Sequence, residues 1–235
     1  MPTGIVTSTA VTGRREGYND IECNQWTKKM NSDDTSLRGS QYILLFAVAM
    51  IFVTLFSYTT SPIYHSWGNT PDSPIFQIIG KYWAMGAIPY QDLWDMKGPF
   101  IFLVNALGYC IGGSRLGVYG IQIFSLFLTL CIVYRTFLLH ISKTVALGFT
   151  LLSLLGLSYI YEGGNLTEEY ILFPLSLSFY YIMRWVDGYE QGKVVCHPPL
   201  QSIIYGTVLG LCLMSRLTNA LGICAAVTVI AITIM

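Results

Sequence analysis

Three carboxylates and two lysines fall within residues 68–99, GNTPDSPIFQIIGKYWAMGAIPYQDLWDMKGP: Asp72, Asp92 and Asp95, with Lys81 and Lys97. After position 40 the chain carries only eight acidic residues, and three more of them, Glu162, Glu168 and Glu169, share the short segment EGGNLTEE. Charge beside a bilayer is costly, so two small charged islands between apolar runs are expected to be functional and to form one site at one membrane face. Carboxylates in such a place can bind a divalent cation through oxygen or act as a general base. A lysine there can neutralise a phosphate as a compact point charge. Together they suit a reaction in which a lipid-linked phosphate leaves while a base activates an acceptor.

Each residue also has a plainer use. Asp72 stands where a helix N-cap would, with Pro74 two residues on. Lys97 and Arg216 could snorkel to headgroups, Arg216 also binding a lipid phosphate. Asp92 and Asp95 are read first as turn formers. Glu168 and Glu169 fit the favourable end of a helix dipole. The tyrosines and tryptophans that flank the apolar runs, among them Trp67, Tyr82, Trp94 and Tyr159, fit an interfacial belt. Asn165-Leu166-Thr167 is a glycosylation sequon by pattern. The six cysteines have no metal-ligand spacing, and His65, His140 and His197 are dispersed, which argues against a metal site built from them.

The elements that must hold the acidic islands are apolar. Of the 235 residues 53% are hydrophobic and 11% charged, with mean hydropathy +0.54. A soluble domain carries about 25% charged residues, so the composition predicts an all-α, polytopic transmembrane helical bundle. Zero net charge and the lack of a basic patch exclude nucleic acid as a partner. Residues 1–40 read as a disordered cytoplasmic tail, and 41–235 as the membrane module. Residues 41–60 are uncharged across about the 20 residues that a span requires. Lys28, Lys29 and Arg38 precede them, which favours an inside N-terminus at the plasma membrane. Ile75, Ile78, Ile79, Tyr82 and Met85 recur at helical spacing, so 72–86 is expected to be an amphipathic helix in the interface, ended by Gly86. The apolar run 98–112 is short for a span. If it crosses, EGGNLTEE falls inside. If it lies in the outer interface, the spans are 116–134, 144–160 and 170–186, and both acidic islands face outward. The positive-inside rule favours the second arrangement, which leaves Arg135, Lys143, Arg184 and Lys193 inside. Residues 187–199 form an inner loop, 200–214 run outward, Arg216 and Asn219 mark a break, and 218–235 start back. The chain stops within an apolar run, as a C-terminally truncated protein would.

Motif order adds a resemblance. Asp72 to Phe76 (D-x-x-x-F), Gly86 to Pro89 (G-x-x-P), Asp95 to Pro99 (D-x-K-G-P) and Asn105 to Gly108 (N-A-L-G) together resemble the first outer loop of GT-C class polytopic glycosyltransferases. The similar members are family 39-like enzymes, which include protein O-mannosyltransferases and aminoarabinose transferases. Asn165 to Tyr170 (N-L-T-E-E-Y) resembles their second outer loop. The resemblance runs from about residue 41 to the end. It implies a GT-C-like bundle with interfacial helices in the first outer loop. The implied activity is transfer of a sugar from a polyprenyl-phosphate donor to a glycan, lipid or protein acceptor at the outer membrane face. Asp72 would then be the catalytic base and Lys97 the donor-phosphate contact. Glu168 would hold a divalent metal (Mg or Mn) or the acceptor, with Glu169 as its substitute, and Asp95, Asp92 and Arg216 are secondary candidates. Two departures stand out: Ser73 follows Asp72 where many members have a second acid, and the turn is Lys97-Gly98-Pro99 where the family has Lys-Pro-Pro or His-Pro-Pro. The rival reading is a non-catalytic, transport or lipid-binding membrane protein, a truncated relic of the enzyme.

Overall fold

The computed structural model describes residues 37–64, 72–190 and 199–234. The expected tail up to residue 36, His65, Trp67, His197, Cys23, Cys196 and most of the 187–199 loop lie outside the described residues. Those described are all-helical. The helices are α1 (Gly39–Phe56), α2 (Asp72–Ala84), α3 (Pro99–Gly112), α4 (Arg115–Phe137), α5 (Lys143–Ile160), α6 (Thr167–Glu190), α7 (Pro199–Ser215) and α8 (Ala220–Ile234). A single 3-10 turn, Leu217–Asn219, stands at the expected break.

Three helices, α1, α4 and α5, are long and apolar enough to cross a membrane, and they mark the chain as a membrane protein. At 24 residues α6 has the length, but it is not apolar enough to join them. Ser176, Ser178, paired tyrosines at 180 and 181, Arg184 and Asp187 lower its hydropathy. It packs along α4 and α7, burying Ile171, Ser178, Tyr180 and Trp185, so protein lines one face of the segment expected to span at 170–186. α3, α7 and α8 are apolar but shorter.

The first span ends earlier than its composition predicts. α1 stops at Phe56, because Ser57, Thr59, Thr60 and Ser61 are buried and turn their hydroxyls to side-chain and backbone partners. The Arg115 guanidinium, at the start of α4, donates to the carbonyls of Tyr64 (3.0 Å) and Thr59 (3.5 Å). The chain therefore leaves α1 and enters α4 at the same end of the bundle, and α2 and α3 form an insertion there.

That insertion packs closely. A Cβ on Gly80 of α2 would strike Asn105 and come within 2.8 Å of the Ala106 nitrogen. Gly108 of α3 meets Val118 of α4 in the same way, and Gly117 meets the Gly108 carbonyl. α2 is two-faced, and of its expected apolar stripe Ile79 alone is buried. Ser73, Phe76, Gln77, Ile79 and Gly80 face the protein, while Ile75, Ile78, Tyr82 and Met85 are exposed. Gln77 is buried with the protein-facing group. The helix ends at Ala84, with Gly86 at φ +101°, a conformation glycine adopts without steric cost.

Three apolar clusters hold the bundle. α1, α4 and α5 share Leu45, Ala49, Phe52, Leu126, Leu130 and Tyr134. α2 and α3 meet through Phe76, Ile79, Ile101 and Phe102, joined by Tyr170 of α6. Ile171, Tyr205, Val208, Cys212 and Ile223 tie α6 to α7 and α8.

Candidate functional site

Both acidic islands come to one end of the bundle and line one cleft of about 340 Å³. Asp72 is the first residue of α2, and Lys97 lies in the turn that opens α3. Glu162 and Leu166 come from the α5–α6 loop, Glu168 from the first turn of α6, and Arg216 from the end of α7. Three stretches that the sequence keeps apart, 72–97, 162–168 and Arg216, thus supply five charges.

The charges are paired across the cleft. Lys97 Nζ lies 3.2 Å from Asp72 Oδ2, and Arg216 Nη1 donates to Glu168 Oε1 at 2.6 Å. All four side chains are about one-third to three-fifths exposed, so the pairs are screened and contribute at most about 1 kcal/mol each. Their value is placement: two cations and two carboxylates are held at the rim, where an incoming charged ligand can replace either partner. The contact seen for the Asp72 carboxylate is this ion pair.

Asp92 and Asp95 do not join them. Asp92 Oδ2 accepts from the Ile88 N–H (2.8 Å), and Asp95 Oδ1 accepts from the Lys97 N–H (2.8 Å). Both shape the 86–98 loop, in which Tyr90 takes φ +68° and donates its hydroxyl to the Lys97 carbonyl (2.6 Å). Asp95 and Tyr90 thereby clamp the backbone on both sides of the lysine.

Glu168 and Glu169 point apart. Consecutive residues on a helix sit about 100° apart, so when Glu168 meets the cleft Glu169 is turned inward. Its carboxylate accepts from the Leu166 N–H (2.7 Å) and from Gln122 Nε2 (2.9 Å), with the Tyr161 hydroxyl beside it. The bond to Leu166 is the backward half of a capping box for α6. Burial first, then Glu169, holds the Tyr161 phenol well above its usual range. As a substitute for Glu168 in the cleft, Glu169 is badly placed.

Beneath the cleft lies a layer of buried amides and hydroxyls absent from the sequence-based candidates. Asn165, fully buried and at φ +61°, donates to Ser73 Oγ (3.1 Å) and Asn105 Oδ1 (3.0 Å), and accepts from Tyr170 (2.8 Å). Ser73 in turn bonds Thr59 (2.6 Å) and receives Gln77 Nε2 at 3.3 Å. Gln122 gathers Ser57 and Thr60. The signal was available: Asn105 and Gln122 are lone amides in apolar runs, and polar groups in such runs mark internal contacts. A side chain so enclosed is no acceptor for a glycan in the folded protein. Asn165→Ala takes one partner each from Ser73 and Asn105 and the bond made by the Tyr170 hydroxyl, and unfolding of the purified protein should show a loss of about 3 kcal/mol.

A divalent metal finds a poor donor set here. Among the described residues no three His, Cys, Asp or Glu side chains converge on one point, and the carboxylates of Asp72 and Glu168 each already face a cation. His140 lies elsewhere, 3.8 Å from Asp187. No family model matches this chain, and no curated protein or solved structure matches it either. What fold and site define together is an all-helical membrane protein with a charge-lined cleft at one end of its bundle.

Proposed function

We propose that the cleft is the site of a membrane glycosyltransferase, which takes a sugar from a polyprenyl-phosphate donor and passes it to an acceptor hydroxyl at the outer face of the plasma membrane. The observation that carries this reading is the convergence of Asp72, Lys97, Glu168 and Arg216 on one cleft beside helices with lipid-compatible surfaces. A phosphate at the membrane interface needs cations at the rim, and Lys97 and Arg216 stand there. An acceptor hydroxyl needs a base, and Asp72 becomes free when the donor phosphate takes Lys97 from it.

The step is a direct displacement. The acceptor oxygen forms a bond to the anomeric carbon as the bond from that carbon to the phosphate oxygen breaks. The bonding pair leaves with the polyprenyl phosphate, and the acceptor proton goes to Asp72. Lys97 stabilises the charge growing on the departing phosphate, with Arg216 on the far side of the cleft. Glu168 holds Arg216 in place and orients the acceptor. The reading follows the motif resemblance to GT-C enzymes, and it assigns no role to Asp92 or Asp95 beyond the loop.

The test uses the full chain in lipid nanodiscs with polyprenyl-phosphate sugars of several kinds. Transfer to water or an added alcohol should release polyprenyl phosphate. Lys97→Met should weaken donor binding about ten-fold or more, the loss of one charge-assisted contact. A membrane scaffold would use the same two ion pairs as braces. Unchanged donor affinity in Lys97→Met, or no transfer with any donor, would leave that as the better account.

A further inference from the structure

We propose that Arg135, Arg184 and Tyr180, at the end of the bundle opposite the cleft, form a binding site for the phosphate of an anionic phospholipid. Arg135 lies in the last turn of α4, and Arg184 lies on α6. The Arg135 Cζ stands 5.8 Å from the centroid of the Tyr180 ring, and the Arg184 Cζ stands 5.5 Å from the same centroid. Arg184 Nη1 also donates to the Tyr180 hydroxyl (2.8 Å), which fixes its guanidinium. Tyr180 itself is buried. One ring thus collects two guanidiniums from different helices. Its negative face attracts each of them, but it carries no net charge and does not cancel the repulsion between them. An anion held between them would.

Arg135 has no carboxylate to serve this purpose. Among the described residues it makes no ion pair, and its Nε is buried without a hydrogen-bond partner. A guanidinium that merely snorkelled would keep its donors in water. Asp187, one turn beyond Arg184, faces His140 of the α4–α5 turn at 3.8 Å. Arg38, before α1, and Lys143, at the start of α5, add positive charge at the same end of the bundle. Gln41 of α1 and the Lys143 carbonyl both meet the hydroxyl of Tyr134, the residue before Arg135.

Depth makes a lipid the source of the phosphate. Arg115, at the cleft end of α4, and Arg135 are separated by about 30 Å of helix at the α-helical rise. That is about the thickness of a bilayer's hydrocarbon core. With the cleft end at one interface, Arg135 stands at the headgroup level of the opposite leaflet. The guanidinium fork, Nε–H beside Nη–H, matches two oxygens of one phosphate, and Nε is the donor left unused. A zwitterionic lipid brings its own cation to its phosphate. An anionic lipid leaves that charge to the protein, and basic pockets between membrane helices select such headgroups. The site is independent of sugar transfer.

Native mass spectrometry of the full chain, titrated in detergent with phosphatidylglycerol or phosphatidylcholine of matched acyl chains, reads the first lipid bound. Phosphatidylglycerol should bind about ten-fold more tightly, the weight of one charge-assisted contact. Arg135→Gln should lose that preference. Arg38→Gln removes a charge from the same end but not from the ring, and should keep it. Equal binding of the two lipids by the unsubstituted protein overturns the site, and needs no variant to do so. A preference that survives in Arg135→Gln, or that falls equally in Arg38→Gln, also overturns it, because other cations or overall charge would then be its source. Displacement of phosphatidylglycerol by an equal concentration of inorganic phosphate would overturn the lipid as the ligand.

Discussion

Replacing Asp72 with asparagine should lower the rate of sugar transfer about 10²–10⁴-fold, the usual contribution of a positioned general base. Donor binding should stay level or tighten. Lys97 lies 3.2 Å from the Asp72 carboxylate and must exchange that partner for the donor phosphate, so a neutral asparagine leaves the lysine easier to recruit. Asparagine also separates the two uses of this position. It keeps the size and polarity of aspartate and removes only the charge, so the packing at the start of α2 survives the change. Single-turnover transfer and equilibrium donor binding, measured on the same preparation, read the two effects apart. A rate that follows binding downward would make Asp72 a structural anchor for α2, and a rate that does not change would remove it from the reaction.

The contrast with Lys97→Met strengthens the argument. That variant should lose affinity, because the lysine meets the ground-state phosphate, and also lose rate, because charge on that phosphate grows as the bond breaks. Two neighbours in one ion pair would then fail differently, one in rate alone and one in both. A brace between α2 and the α3 turn predicts the same failure from either side.

The elements holding these residues were legible where chemistry is local. Gly86 ends α2 close to its expected limit, Pro99 opens α3, and Ser114 caps α4 through the Leu116 N–H. The apolar cores of α4 and α5 were visible as uncharged runs. What periodicity could not assign was the partner of each face. In lipid, an apolar stripe gains little by turning inward, and small or polar residues make the closer contacts. That is why Gln77 and Gly80 face α3 while Ile75, Ile78 and Tyr82 stay outside. The same ambiguity hid the split between Glu168 and Glu169, adjacent in sequence and alike in chemistry. The Leu166 N–H and the Gln122 amide, the latter 47 residues away, meet the one that turns inward. Asn165 was visible as a sequon, yet its role depends on Ser73 and Asn105, which no local pattern connects to it.

A loss of stability as large as that of Asn165→Ala is expected from Gly98→Ala. Gly98 has φ −65° and ψ 159°, an extended conformation open to any residue, so backbone freedom is not what requires glycine. Contact is. A Cβ there would overlap the Met214 carbonyl oxygen and lie 2.5 Å from its carbon. Both are backbone atoms near the end of α7, and no rotamer change can move them aside. Either the 95–98 turn or the end of α7 must shift, at a cost of about 3 kcal/mol by analogy with overpacked cores. The contact bears on the site because Lys97 precedes it and Arg216 follows Met214 by two residues. Forcing the strands of that contact apart widens the distance between the two cations that flank the cleft. Gly148→Ala in α5 is the matched control: a Cβ there meets nothing within 4 Å, and alanine should stabilise the helix by up to about 1 kcal/mol. Thermal unfolding of both variants in the same nanodiscs decides the matter. If Gly98→Ala unfolds no earlier than Gly148→Ala, the turn and the end of α7 do not touch, and Lys97 and Arg216 do not share a cleft.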